Sequence, residues 1–147
     1  MRENNEHYIF IHYLNYPRQY IQMFHNWCYE QDRKESLEKY YEDVPNNVPC
    51  VSEIFRYVQW HNHALLLTKD LNISTMILHY EDYANDLNST AKRLFTFLEY
   101  DMVAPPPSFF QHDYSFMYTE DERDRIKKWV QDLASRNFWK LVEHYFH

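Results

Sequence analysis

The sequence predicts an α/β layered domain, and three observations predict it. Residues 75–78 (TMIL) form a short apolar run bounded by turn-forming residues, which reads as a buried strand. Residues 8–14 (YIFIHYL) are aromatic and β-branched, with Ile9 and Ile11 alternating with Phe10 and His12, and read as a strand covered on both faces. Each run is followed by apolar residues at helical spacing: Tyr20, Ile21, Phe24, Trp27 and Cys28 after the first, and Leu87, Ala91, Leu94, Phe95 and Leu98 after the second. Strand, turn and helix thus occur twice. The rival is an all-helical domain in which both apolar runs are helix segments.

The remaining elements follow in chain order. A chain of 147 residues is a single domain by length, long enough for one core. Its start, MRENNEHY, is polar with no apolar leader segment, and no run approaches the roughly 18 apolar residues of a membrane span. Pro17 suits the first turn of the first helix, where its missing N–H costs nothing. Residues 31–48 are dense in charge and end in a Pro/Asn cluster, which predicts an exposed helix remnant and then a loop. Residues 51–71 predict a long helix with Ser52 at its N-cap. Its stripe of Ile54, Val58, His61 and Leu65 is widened by Phe55, Trp60, Ala64 and Leu67, a breadth expected of a helix sandwiched between a sheet and another helix. After the helix of residues 87–99, three prolines at 105–107 stop the chain, and residues 109–118 are an irregular aromatic connector. Thr119, Glu120, Asp121 and Glu122 make a capping box with acids in the first turn. The helix it opens carries Ile126, Trp129, Val130 and Leu133, and a last short helix carries Phe138, Leu141, Val142 and Tyr145.

Composition narrows the functional classes. The formal charge is −7 and is spread along the chain, so no basic footprint for nucleic acid exists. Glycine is absent, where roughly ten would be average for this length, and every Gly-rich phosphate cradle is absent with it. Cys28 and Cys50 lie outside any CxxC pair and are too few for a disulfide framework, so they read as free buried thiols. Residues 72–74 (Asn-Ile-Ser) and 88–90 (Asn-Ser-Thr) fit the glycosylation triplet, a pattern that arises by chance about once in a chain this long.

Few residues are placed for chemistry. Tyr80, Glu81 and Asp82 follow the predicted strand at its carboxyl end, where open α/β sheets hold ligands. Adjacent residues in a turn point apart, so Glu81 and Asp82 read as helix caps rather than as a catalytic carboxylate pair. His61 and His63 are two apart on a predicted helix and diverge by about 200°, so they cannot grip one ion as an i, i+4 pair does. No metal is expected. A nucleophile elbow requires glycines, so a Ser/His/Asp hydrolase is not expected either.

The order apolar strand, Tyr80-Glu81-Asp82-Tyr83, Asn85 and a helix ending in Phe97-Leu98 resembles the Tyr-Glu-Asp strand and helix of the sulfotransferase family. Residues 8–25 resemble a second segment of that family, a strand, an Asn-x-Pro turn and a helix, and the likeness covers residues 8–25 and 52–145. The resemblance implies a P-loop nucleoside-triphosphatase-type α/β fold of which this chain is the C-terminal portion. It also implies transfer of a sulfuryl group from 3′-phosphoadenosine 5′-phosphosulfate (PAPS) to a hydroxyl or amine acceptor whose class the sequence leaves open. In that frame Tyr80 contacts the adenine, and Arg18 lies beside the place of the 3′-phosphate at a helix N-terminus. The departures are equally specific. Asn15 and Met23 stand where the family has Arg and Ser on the 3′-phosphate, and residues 109–118 lack its Arg-Lys-Gly loop. No phosphosulfate loop or catalytic base can be placed, so the chain by itself is expected to be inactive. A noncatalytic binding or scaffold module is the alternative. Full-length relatives of this kind occupy the Golgi lumen or the cytoplasm, and the sequence does not choose between them.

Overall fold

A computed structural model describes residues 17–110 and 115–146; residues 8–14 lie outside that range. Every regular element among the described residues is helical. In order they are α1 (Pro17–Glu35), a 3-10 turn (Leu37–Lys39), α2 (Val51–Asp70), α3 (Tyr80–Asn85), α4 (Leu87–Phe97), a 3-10 turn (Ser115–Met117), α5 (Glu120–Leu133), α6 (Arg136–Val142) and a closing 3-10 turn (Glu143–Phe146). No strand occurs among them, so the α/β expectation, with its parallel sheet and P-loop architecture, is overturned. Residues 73–79 form neither helix nor strand, and Ile77 is 42% exposed. The physical reason is pairing. A strand's N–H and C=O groups need a ladder partner, and without one an apolar run of four residues does not form a strand. The chain forms two compact units, Met1–Leu65 with Met117–His147, and Leu66–Phe116.

The first unit holds the core. Val58 and Phe138 are essentially inaccessible, and Val48, Val51, Trp129, Val130 and Val142 are buried around them. The stripes on α2 and α5 put Val58 with Ile126, Trp129 and Val130 in this cluster, as helical spacing requires. Two further residues correct the expectation for 31–48: Val44 and Val48 are buried, and α1 runs on to Glu35 before Leu37 also turns inward. The expected sandwich around α2 is not observed, since Trp60 is 67% exposed and Leu66 and Leu67 are exposed as well.

A disulfide explains why the segment after α1 is held. Cys28 and Cys50 are joined across 22 residues, not free. Chain-entropy reasoning assigns such a ring about 3 kcal/mol. Four residues past Cys28, on the same face of α1, the buried carboxylate of Asp32 accepts from the backbone N–H groups of Val51 (3.3 Å) and Ser52 (2.9 Å) and from the Ser52 hydroxyl. Cysteine and carboxylate therefore seize the same turn, residues 50–52. The N-terminus of α2 is capped from α1 rather than by Ser52, and Asp32 also sits where a helix dipole favours negative charge.

The α2–α5–α6 packing is closed by one amide. Asn62 donates from Nδ2 to the Leu133 carbonyl (2.9 Å) and accepts at Oδ1 from the Ser135 N–H (2.8 Å), satisfying the turn between α5 and α6. The predicted capping box is present at α5: Thr119 N–H donates to Glu122 (2.7 Å), and Glu122 N–H donates to the Thr119 hydroxyl (3.3 Å). Ser135 caps α6 through the Phe138 N–H (3.2 Å).

In the second unit α3 and α4 are short. The backbone N–H of His79 donates to Asp82, the Thr90 hydroxyl donates to the Asp82 carbonyl (2.9 Å), and Asp86 caps α4 through the Ser89 N–H (2.9 Å). The only hydrophobic side chain buried among its described residues is Ala91. With no glycine available, left-handed backbone falls to other residues. α2 ends in a pair of bonds, Asn72 N–H to Lys69 O (3.3 Å) and Ile73 N–H to Thr68 O (2.9 Å), with Asn72 at φ 51°. α4 ends the same way at Glu99, φ 58°. Both are Schellman stops.

Candidate functional site

Within the first unit, α1, α2, α5 and the C-terminal turn enclose a groove of about 540 Å³. Its floor is Cys50, Ile126, Val130 and Val142, all buried; its walls and rim are aromatic, with Phe24, Trp27, Tyr57, Tyr118, Tyr145 and Phe146. Among the described residues, Glu53 is the one charged residue of the lining, and it is paired with Arg56 at 2.6 Å. The volume lies within the range that holds small ligands, and the lining favours apolar surface.

Tyr118 marks one wall. Its ring meets Phe24 edge-on (6.1 Å) and His25 at a tilt (6.4 Å), and the His25 Nε2 donates to the Met117 carbonyl (2.8 Å). Burial pushes the Tyr118 phenol up to about 12, with the carboxylates of Asp32 and Glu122 adding to the shift. Tyr29 is raised for the same reasons in the same order of cause: desolvation, then nearby carboxylates. Neither phenol is a base near neutral pH. A group held protonated can donate a hydrogen bond but cannot abstract a proton.

The residues singled out by sequence lie elsewhere. Tyr80 opens α3 in the second unit, 42% exposed, with its ring edge-on to Phe109 (5.0 Å) and its hydroxyl donating to the Phe110 carbonyl (3.4 Å). Asp82 caps that helix and lies 3.9 Å from Arg93. Arg18 falls in the first turn of α1, and its side chain lies outside the described part, as do residues 111–114 of the aromatic connector. His61 stacks on Phe138 (5.0 Å, 15° between planes) and donates from Nδ1 to the Tyr57 carbonyl (2.8 Å), while His63 is exposed. The residue between them, Asn62, is the one with structural work.

Sequence reasoning missed the groove because its walls come from four separate segments, and it missed the disulfide because two cysteines form no framework. One signal was legible in hindsight: Cys28 and Asp32 share a helix face, and Cys50 directly precedes the helix start that Asp32 caps. The protein is thus defined as a disulfide-bonded helical protein with an apolar, aromatic-rimmed groove. No protein-family model, curated protein or solved structure matches the chain.

Proposed function

We propose that this chain is a noncatalytic binding module, a sulfotransferase-like sequence whose own residues hold a neutral, largely apolar small molecule rather than transferring a sulfuryl group. The observation that carries the reading is the groove, of about 540 Å³, whose lining among the described residues has no Lys or Arg and one carboxylate, already paired. Such a lining rewards apolar surface and penalises a charged ligand, because a charge placed there loses water without gaining a partner. A drug-sized apolar ligand in a groove of this kind binds with a dissociation constant on the order of micromolar. The test is titration with a neutral, polarity-sensitive dye. Saturable binding is expected, together with its loss in Ile54→Arg, which puts a cation at a further apolar lining residue while circular dichroism remains helical. An unsaturable response in the unaltered protein refutes the reading.

A second reading is favoured by one observation, the order of residues 73–85: an irregular apolar segment, then Tyr80 with an exposed ring at the start of a helix capped by Asp82. In it the chain supplies an adenine contact to PAPS-dependent chemistry, and a sulfate acceptor of unspecified class would be its second ligand. Calorimetric titration with 3′-phosphoadenosine 5′-phosphate separates the two. The module reading expects nothing tighter than about millimolar; micromolar binding that disappears in Tyr80→Ala favours the second.

A further inference from the structure

We propose that Asn72 is an acceptor for an N-linked glycan, added in an oxidising secretory compartment. Three features meet at this position. The first is the compartment. The Cys28–Cys50 bond has both cysteines buried, at 0% and 5% exposure, and disulfides of this structural kind form and persist where the environment is oxidising, which is also where lipid-borne oligosaccharide is transferred to protein. The second is presentation. Asn72, Ile73, Ser74 and Thr75 are consecutive exposed residues in the irregular stretch after α2, outside every helix, so the Asn-Ile-Ser triplet is offered on a loop as the modification requires. The third is what surrounds it. Leu71 and Ile73, on either side, are 64% and 53% exposed, and a bulky hydrophilic glycan at Asn72 would screen apolar surface that the described residues leave open.

The backbone role of Asn72 does not account for these features. A Schellman stop explains an Asn at φ 51°, but it places no demand on a hydroxyl two residues later. The second triplet supplies a contrast. Asn88 lies in the first turn of α4, and Thr90, its hydroxyl residue, is 3% exposed with that hydroxyl committed to the Asp82 carbonyl at 2.9 Å. Wherever the fold forms before transfer, a hydroxyl so engaged is out of reach for the transferase.

The chemistry balances without redox change. The co-reactant is an oligosaccharide linked to a lipid pyrophosphate, acted on by its membrane-bound transferase. The Asn72 Nδ2 forms a bond to the anomeric carbon, the carbon–oxygen bond to the pyrophosphate breaks, the lipid pyrophosphate leaves with the bonding electrons, and one amide proton is released.

The experiment is intact-mass and peptide mapping of the full chain made through a eukaryotic secretory route, before and after amide-cleaving glycosidase. The expected result is loss of a glycan's mass with conversion of Asn72 to Asp in the mapped peptide. Asn72→Gln abolishes the change. Because that substitution also alters a left-handed position, Ser74→Ala is the second variant; it keeps Asn72 and its backbone and should abolish the change equally. Asn88→Gln should leave it intact. A mass unaffected by glycosidase, or a change that survives both Asn72→Gln and Ser74→Ala, overturns the proposal.

Discussion

At the scale of single residues, Tyr118 carries a pH dependence whose sign follows from its surroundings. Its phenol ionises near 10 in an unfolded chain and is pushed up to about 12 in the folded one, first by burial and then by Asp32 and Glu122. A raised folded value means that the stabilisation is complete below pH 10 and is lost as the pH rises from 10 through 12. Because the ring is partly exposed, solvent screening reduces the effect to the order of 1 kcal/mol. Urea unfolding at pH 8 and pH 11 is the measurement: the unaltered protein should lose more stability over that interval than Tyr118→Phe, and equal losses would place the alkaline sensitivity elsewhere. Some residue-level facts were readable from sequence and some were not. Thr119 and Glu122 announce their capping box by spacing alone, a purely local rule. Asp32 announces nothing, because what it caps lies 20 residues further on.

At the scale of elements, the helices α2, α4 and α5 were legible because each writes a 3.6-residue period over ten or more positions. The run at 75–78 was not, because four apolar residues carry too short a period to separate a paired strand from an unpaired segment. The helix ends offer a direct test of what the missing glycine costs. Glu99 holds the left-handed stop of α4 with a side chain that crowds its own carbonyl and sets a negative charge at the negative end of the helix. Glu99→Gly should therefore raise stability by about 1 kcal/mol, read as a higher melting temperature. A lower melting temperature would show that unfolded-chain entropy outweighs the relief.

At the scale of the whole molecule, the α/β class gave way to helices among the described residues, since a sheet is a property of pairing between segments and not of any one of them. The core of the first unit depends instead on the cross-link between residues 28 and 50. Reduction, or Cys28→Ser with Cys50→Ser, should lower stability by about 3 kcal/mol and loosen the buried Val44 and Val48 that lie inside the ring. Denaturant melts with and without reductant measure this, and coincident curves would contradict it. No helix among the described residues is long and apolar enough to cross a membrane.

The same junction has a bearing on how the chain regains its shape after denaturation. Two thiols permit a single internal partnership, so oxidative renaturation has no scrambled isomers to escape, and mispairing is confined to links between chains. Asp32 draws in the N–H groups of residues 51 and 52 directly beside Cys50, so at a fixed oxidant concentration Asp32→Ala should lower the yield of the cross-link in dilute solution.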